Sequence, residues 1–87
     1  MRKARKTEEW QRLDTQNHLH PFTDYHAYNQ KPGRVINRAE HIYIYDTDNN
    51  KILDAMSGLW CCSLGYSQPE IVEAVSRQFS QLPYYKN

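Results

Sequence analysis

Three groups of side chains in this 87-residue chain are of types that do chemistry: His18, His20 and His26; Asp46, Asp48 and Asp54; and the adjacent pair Cys61 and Cys62. The histidines raise a metal site, but no quartet of Cys or carboxylate ligands at metal spacing accompanies them, so they read as loop residues. Asp46 and Asp48 sit in Asp-Thr-Asp-Asn-Asn, where Asp is ordinary turn chemistry. The cysteines have Leu59, Trp60 and Leu64 around them and no cation, which predicts inert, buried thiols. They lack a second Cys or His pair at zinc spacing, and adjacent cysteines cannot staple distant segments of a secreted fold. A reducing, cytoplasmic location is therefore expected. There is no nucleophile elbow, phosphate-cradling loop, dinucleotide fingerprint or HExxH, and the three glycines are scattered. No catalytic residue and no metal ligand is assigned.

Composition narrows the setting. Hydrophobic residues make up 39%, below the roughly 45–50% usual for soluble domains, so the chain has little with which to build a core. Eleven Lys and Arg against ten Asp and Glu leave a formal charge of +1, which speaks against a dedicated nucleic-acid or anionic-membrane binder. No apolar run approaches the roughly 18–20 residues of a spanning helix, and the basic start has no apolar h-region behind it.

Local patterning predicts an α+β arrangement. In 1–17, Trp10 and Leu13 share a helical face, with Thr7 as N-cap and Glu8 and Glu9 in the first turn. Residues 18–34 read as a loop, unusually aromatic through Phe22, Tyr25 and Tyr28. From Val35 the period changes to two. Ile42 and Ile44 alternate with Tyr43 and Tyr45, a turn follows at 46–50, and 51–54 resumes extended character, giving a three-stranded antiparallel piece. The uncharged stretch 56–66 is expected to be buried in the finished molecule, its glycines marking turns or a close backbone approach. Ser67 and Glu70 then read as a capping box, with Pro69 in the first turn. Ile71, Val72, Val75, Phe79 and Leu82 draw one apolar stripe, and Pro83 stops the helix.

The ordered blocks His-Pro-Phe-Thr-Asp (20–24), Arg-Val-Ile-Asn-Arg-Ala-Glu (34–40), Tyr-Ile-Tyr-Asp-Thr-Asp (43–48), Leu-Asp-Ala-Met-Ser-Gly-Leu-Trp-Cys (53–61), Gly-Tyr (65–66) and Leu-Pro-Tyr-Tyr (82–85) carry a resemblance. Over about residues 8–87 the chain resembles the amino-terminal segment of class III pyridoxal-phosphate aminotransferases, most closely the omega-amino acid or amine:pyruvate branch. That resemblance implies fold type I: a large α/β domain and a smaller α+β domain in a homodimer with active sites at the interface. It divides the chain into a tail and short helix at 1–17 and, at 18–87, part of the small domain and an active-site loop. The chain is accordingly expected to be a fragment.

By the same resemblance, Phe22 matches an aromatic that walls the substrate pocket, and Leu59 and Trp60 match the pair lining the part that receives the substrate side chain. Flat apolar walls bury a methylene or aryl group and exclude water. Ser57-Gly58-Leu59-Trp60 departs from the Ser-Ser-Trp-Trp usual in diaminopelargonate-forming relatives, which implies an amine or omega-amino acid donor with pyruvate as acceptor. Ala55 in place of a frequent glycine, Asn49-Asn50 in place of Asp-Gly, and Lys86 after Tyr85 are departures at turn and surface positions. In the family, pyridoxal phosphate is held by a lysine far downstream. None of Lys3, Lys6, Lys31, Lys51 and Lys86 stands in that context, so the chain alone is expected to be inactive. A free-standing module docking on a partner protein through the aromatic loop and the helix, or a decayed remnant, is the alternative. An open reading frame past Asn87 separates these readings.

Overall fold

The computed structural model describes residues 4–86, so the first three tail positions and Asn87 lie outside the described residues. The elements are α1 (Thr7–Asn17), α2 (Tyr25–Gln30), β1 (Ile36–Glu40), β2 (Tyr43–Asp46), β3 (Lys51–Leu53), α3 (Ser57–Trp60) and α4 (Pro69–Gln81). The strands form one sheet in the order β1-β2-β3. Connections of two and four residues make it an antiparallel meander, as the alternation predicts. The chain divides into two compact units, to both of which the strands contribute. One takes the described residues up to Arg38 with Ile44–Ile52; the other takes Ala39–Tyr43 and the residues from Leu53 onward.

In the first unit, polar contacts do the tying. Thr7 is the first helical residue, not the cap: Lys6 holds that position, and the Thr7 hydroxyl donates to the Asp48 carboxylate and lies 2.8 Å from Thr47 Oγ1. Gln11 Nε2 donates to the Gly33 carbonyl at 3.1 Å. The turn between β2 and β3 forms around Asp46, the buried polar residue at 3% exposure. Its carboxylate accepts from the Asp48 and Asn50 amides at 3.0 and 2.8 Å and from Asn50 Nδ2 at 2.9 Å, with Arg34 Nε at 3.3 Å. Those donors, Asn50 first, hold its pKa below the ordinary carboxylate value despite burial.

The stretch 18–34 is not all loop. Asp24 caps α2, accepting from the amides of His26 at 3.0 Å and Ala27 at 3.4 Å. Six residues give too short a stripe for periodicity to reveal. The structure also gives the loop histidines partners. His20 Nε2 lies 2.8 and 2.9 Å from the two carboxylate oxygens of Asp14, which also accepts from the Tyr28 hydroxyl. The Asp14 pKa is lowered, mainly by Tyr28 and then by His20, and the Tyr28 pKa is raised mainly by Asp14. His26 Nε2 meets Gln30 Nε2 at 3.2 Å, and the His18 and His20 rings lie 4.3 Å apart.

The second unit contains α4. Pro69 begins it, but the capping box does not form. Gln68 holds the cap position without a side-chain bond, while Ser67 has φ 57° and its hydroxyl donates to the Ala39 carbonyl at 2.8 Å. The helix ends at Gln81 and Leu82 is extended, as a residue before proline must be. Its stripe residues Ile71, Val72, Val75, Phe79 and Leu82 are all exposed, and no hydrophobic side chain is buried among the described residues. The thin apolar supply read from composition thus has its structural counterpart.

Candidate functional site

Leu59 and Trp60 belong to a single turn whose backbone runs the wrong way for L-residues. Ser57, Gly58, Leu59 and Trp60 have φ of 53°, 58°, 56° and 74°. Each non-glycine residue there costs about 1–2 kcal/mol against a right-handed conformation. Only Gly58 enters at low cost, and a Cβ on it would come within 3.3 Å of Cys62 Sγ and 3.5 Å of the Tyr66 hydroxyl. Neighbouring groups must therefore hold the turn.

They do so from two sides. Asp54, just past β3, accepts from the Met56 amide at 2.9 Å on one carboxylate oxygen and from the Tyr66 hydroxyl on the other. The Trp60 amide donates to the Met56 carbonyl at 3.3 Å, and the Cys62 amide to the Ser57 carbonyl at 2.8 Å. Both holding residues are themselves anchored at the corner between β1 and β2. The Asp54 amide donates to the Ile42 carbonyl at 2.9 Å, and His41 and Tyr66 exchange two backbone bonds of 3.1 and 2.8 Å.

The outcome is a polar inner face and an apolar outer one. Leu59 is 69% exposed and Trp60 86%, and an open pocket of about 300 Å³ is lined by Ala55, Met56, Ser57, Trp60 and Ser63. Within this chain Cys61 is exposed and Cys62 half-buried, whereas the sequence predicts buried thiols for the finished molecule. Phe22 lies in the other unit, at a turn with φ 51°, fully exposed, its neighbour Thr23 donating to the Pro21 carbonyl at 2.9 Å. Leu59 and Trp60 are adjacent on one turn of the second unit, and Phe22 belongs to the first.

Charge fixes the pH window of the groups holding that turn. The Tyr66 hydroxyl, then the Met56 amide, hold the Asp54 pKa below its ordinary 3.8, and Asp54 pushes Tyr66 up to about 12. The carboxylate's contribution is present above pH 3.8 and is lost as pH falls through its lower folded value. The phenol's contribution is whole below its ordinary value of 10.0 and is lost as pH rises through about 12. Alkaline titration of phenol absorbance should therefore show a late step near pH 12 that Tyr66→Phe removes. Identical late steps in variant and parent would contradict the pairing.

The described lysines do not fit the covalent anchor of pyridoxal phosphate. Lys6, Lys31 and Lys51 stand at the ends of α1, α2 and β3, Lys86 lies past α4, and all are exposed. An anchoring lysine needs an enclosed site that depresses its pKa so that its amine is free to react.

The comparisons with known proteins agree with this geometry. The putrescine–pyruvate aminotransferase of Pseudomonas aeruginosa is 54% identical over 80 residues, which are 92% of this chain and 18% of that enzyme. The chain thus spans about one fifth of that relative's length. An (S)-enantioselective omega-transaminase from Thermomicrobium roseum superposes with a TM-score of 0.84 at 26% identity, over 92% of this chain and 18% of that one. A thermostable omega-transaminase variant with a tryptophan changed to glycine, engineered for asymmetric synthesis of enantiopure bulky amines, superposes with a TM-score of 0.82 at 32% identity, over 88% and 17%. The small antiparallel sheet with its helices is that of the amino-terminal region of omega-transaminases. The family model for class III aminotransferases matches residues 25–86, most of the chain, and the chain belongs to that family.

Proposed function

We propose that this chain is the amino-terminal section of a pyridoxal-phosphate-dependent aminotransferase that moves an amino group from an amine or omega-amino acid to pyruvate or a similar keto acid. The donor leaves as an aldehyde or ketone and pyruvate as alanine. The observation carrying this reading is the braced turn that presents Leu59 and Trp60 as an apolar wall, in a chain so similar to a putrescine–pyruvate aminotransferase. Leu59, Trp60 and Phe22 bind substrate: their rings and methyl groups orient the donor's carbon skeleton and exclude water from it. When bound, pyridoxal phosphate supplies the carbonyl and electron-sink chemistry of amino transfer. Its anchor comes from residues other than the described lysines, all of which are exposed. The 18–87 region acts as part of the small domain in a cytoplasmic homodimer, and the exposed stripe of α4 suits it to be covered by the rest of such an assembly.

The full-length product that carries this chain, purified with pyridoxal phosphate, should form alanine from pyruvate with a diamine or omega-amino acid donor, and the 87-residue chain alone should form none. A full-length holoenzyme that binds the cofactor yet yields no alanine from any such donor refutes the reading.

A further inference from the structure

The wall residues sit on a backbone that they would not adopt unaided, and the groups holding that backbone lie on its opposite side. We propose that Asp54 and Tyr66 are positioning residues that set the size of amine donor the enzyme accepts, by clamping the left-handed Ser57–Trp60 turn so that Leu59 and Trp60 face the donor. This rests on the reading of Leu59 and Trp60 as donor-pocket walls.

The clamp has two arms with one base. Asp54 is fixed by its amide to Ile42, and Tyr66 by its two backbone bonds to His41, so the arms rise from consecutive residues of one strand corner. They meet as a phenol–carboxylate hydrogen bond beneath the turn. One carboxylate oxygen then holds the Met56 amide at 2.9 Å, at the entry to the turn. The Tyr66 hydroxyl lies 3.5 Å from where a Gly58 Cβ would be, closing off the inner side. Cys62 completes the exit, its amide 2.8 Å from the Ser57 carbonyl. With the phenol oxygen removed, Asp54 loses one of its bonds and the turn loses its floor. Three non-glycine residues are then free to relax toward right-handed geometry and carry the wall with them. A displacement of about 1 Å at a substrate wall is enough to change rates by one to two orders of magnitude.

The test uses the full-length holoenzyme and compares kcat/KM for a bulky aryl amine and for a small aliphatic amine. Trp60→Ala examines the wall itself and should shift the ratio about tenfold or more. Tyr66→Phe should shift the same ratio about fivefold to tenfold, mainly through KM, with the cofactor absorbance band unchanged. Asp54→Asn keeps an oxygen for the Met56 amide and should shift it less than Asp54→Ala. If Trp60→Ala moves the ratio while Tyr66→Phe and Asp54→Ala leave it within about twofold, the clamp is refuted and the wall reading stands. If Trp60→Ala leaves it unmoved, the wall reading fails and takes the clamp with it. Hydrogen exchange on the Tyr66→Phe holoenzyme gives a readout independent of turnover. The Trp60 and Cys62 amides should exchange about tenfold faster while the α4 amides keep their protection, and unchanged Trp60 and Cys62 exchange refutes the clamp.

Discussion

Replacing Gly65 by alanine should open the corner on which the candidate site is built, accelerating exchange of the His41 and Tyr66 amides by about 30-fold to 1,000-fold. Gly65 has φ +85°, and a Cβ there would lie 3.0 Å from the His41 carbonyl oxygen and 3.2 Å from Gln68 Nε2. The Gln68 side-chain amide can swing away only by giving up its bond to the Leu64 carbonyl at 2.8 Å. The His41 carbonyl cannot, because it accepts from the Tyr66 amide at 2.8 Å and belongs to a residue already at φ 53°. The methyl group therefore adds a left-handed conformation to a backbone clash, together about 2–4 kcal/mol, which is the stated range of exchange at about 1.4 kcal/mol per factor of ten. Gly58→Ala should be milder in its packing, since the nearest atom at 3.3 Å is the Cys62 sulfur, part of a side chain able to shift. Measured in the full-length protein, equal protection of the two amides in Gly65→Ala and parent would show that the corner does not depend on this glycine.

Much of this was legible in the residues, and what was hidden was hidden for physical reasons. The alternation at 42–45 and the Asp-rich turn show in the sequence because strand period and turn chemistry are local, and the β2–β3 turn does form on Asp46. The apolar stripe of α4 and its Pro69 start are local in the same sense. The cap of α4 is not: Ser67 has the residue type and spacing for a capping box, but its hydroxyl is drawn to the Ala39 carbonyl across the strand corner. Thr7 fails as a cap likewise, its hydroxyl bonded to Asp48 and Thr47 some forty positions away. The left-handed run is the extreme case. Three of its four residues are types that avoid that region, so nothing local announces it; the bonds around it, among them that of Tyr66 to Asp54, join residues with no periodic relation. Both residues stood inside the blocks that carry the family resemblance, where their pairing, twelve residues apart, had no periodic signature.

Removing the Trp60 indole should change what the full-length enzyme accepts far more than whether it folds. The side chain is 86% exposed in this chain, and the turn is held by backbone and polar bonds in which the ring takes no part, so Trp60→Ala takes little packing from this part of the chain. On the proposed wall the same ring is the largest single apolar surface. Its loss opens room of indole size beside the donor. A bulky aryl amine then gains a fit it lacked, while a small aliphatic amine loses the apolar contact that oriented it. The two effects have opposite sign, so the ratio of kcat/KM values should move by about 10-fold to 100-fold toward the bulky donor, the sum of a gained and a lost contact of about 1–3 kcal/mol each at the low end. Leu59→Ala removes less surface from the same support and should shift the ratio in the same direction by less. Steady-state kinetics with the two donors and pyruvate measure this directly. Parallel losses on both donors would mean that the indole is not a wall but a prop, and that donor size is read elsewhere.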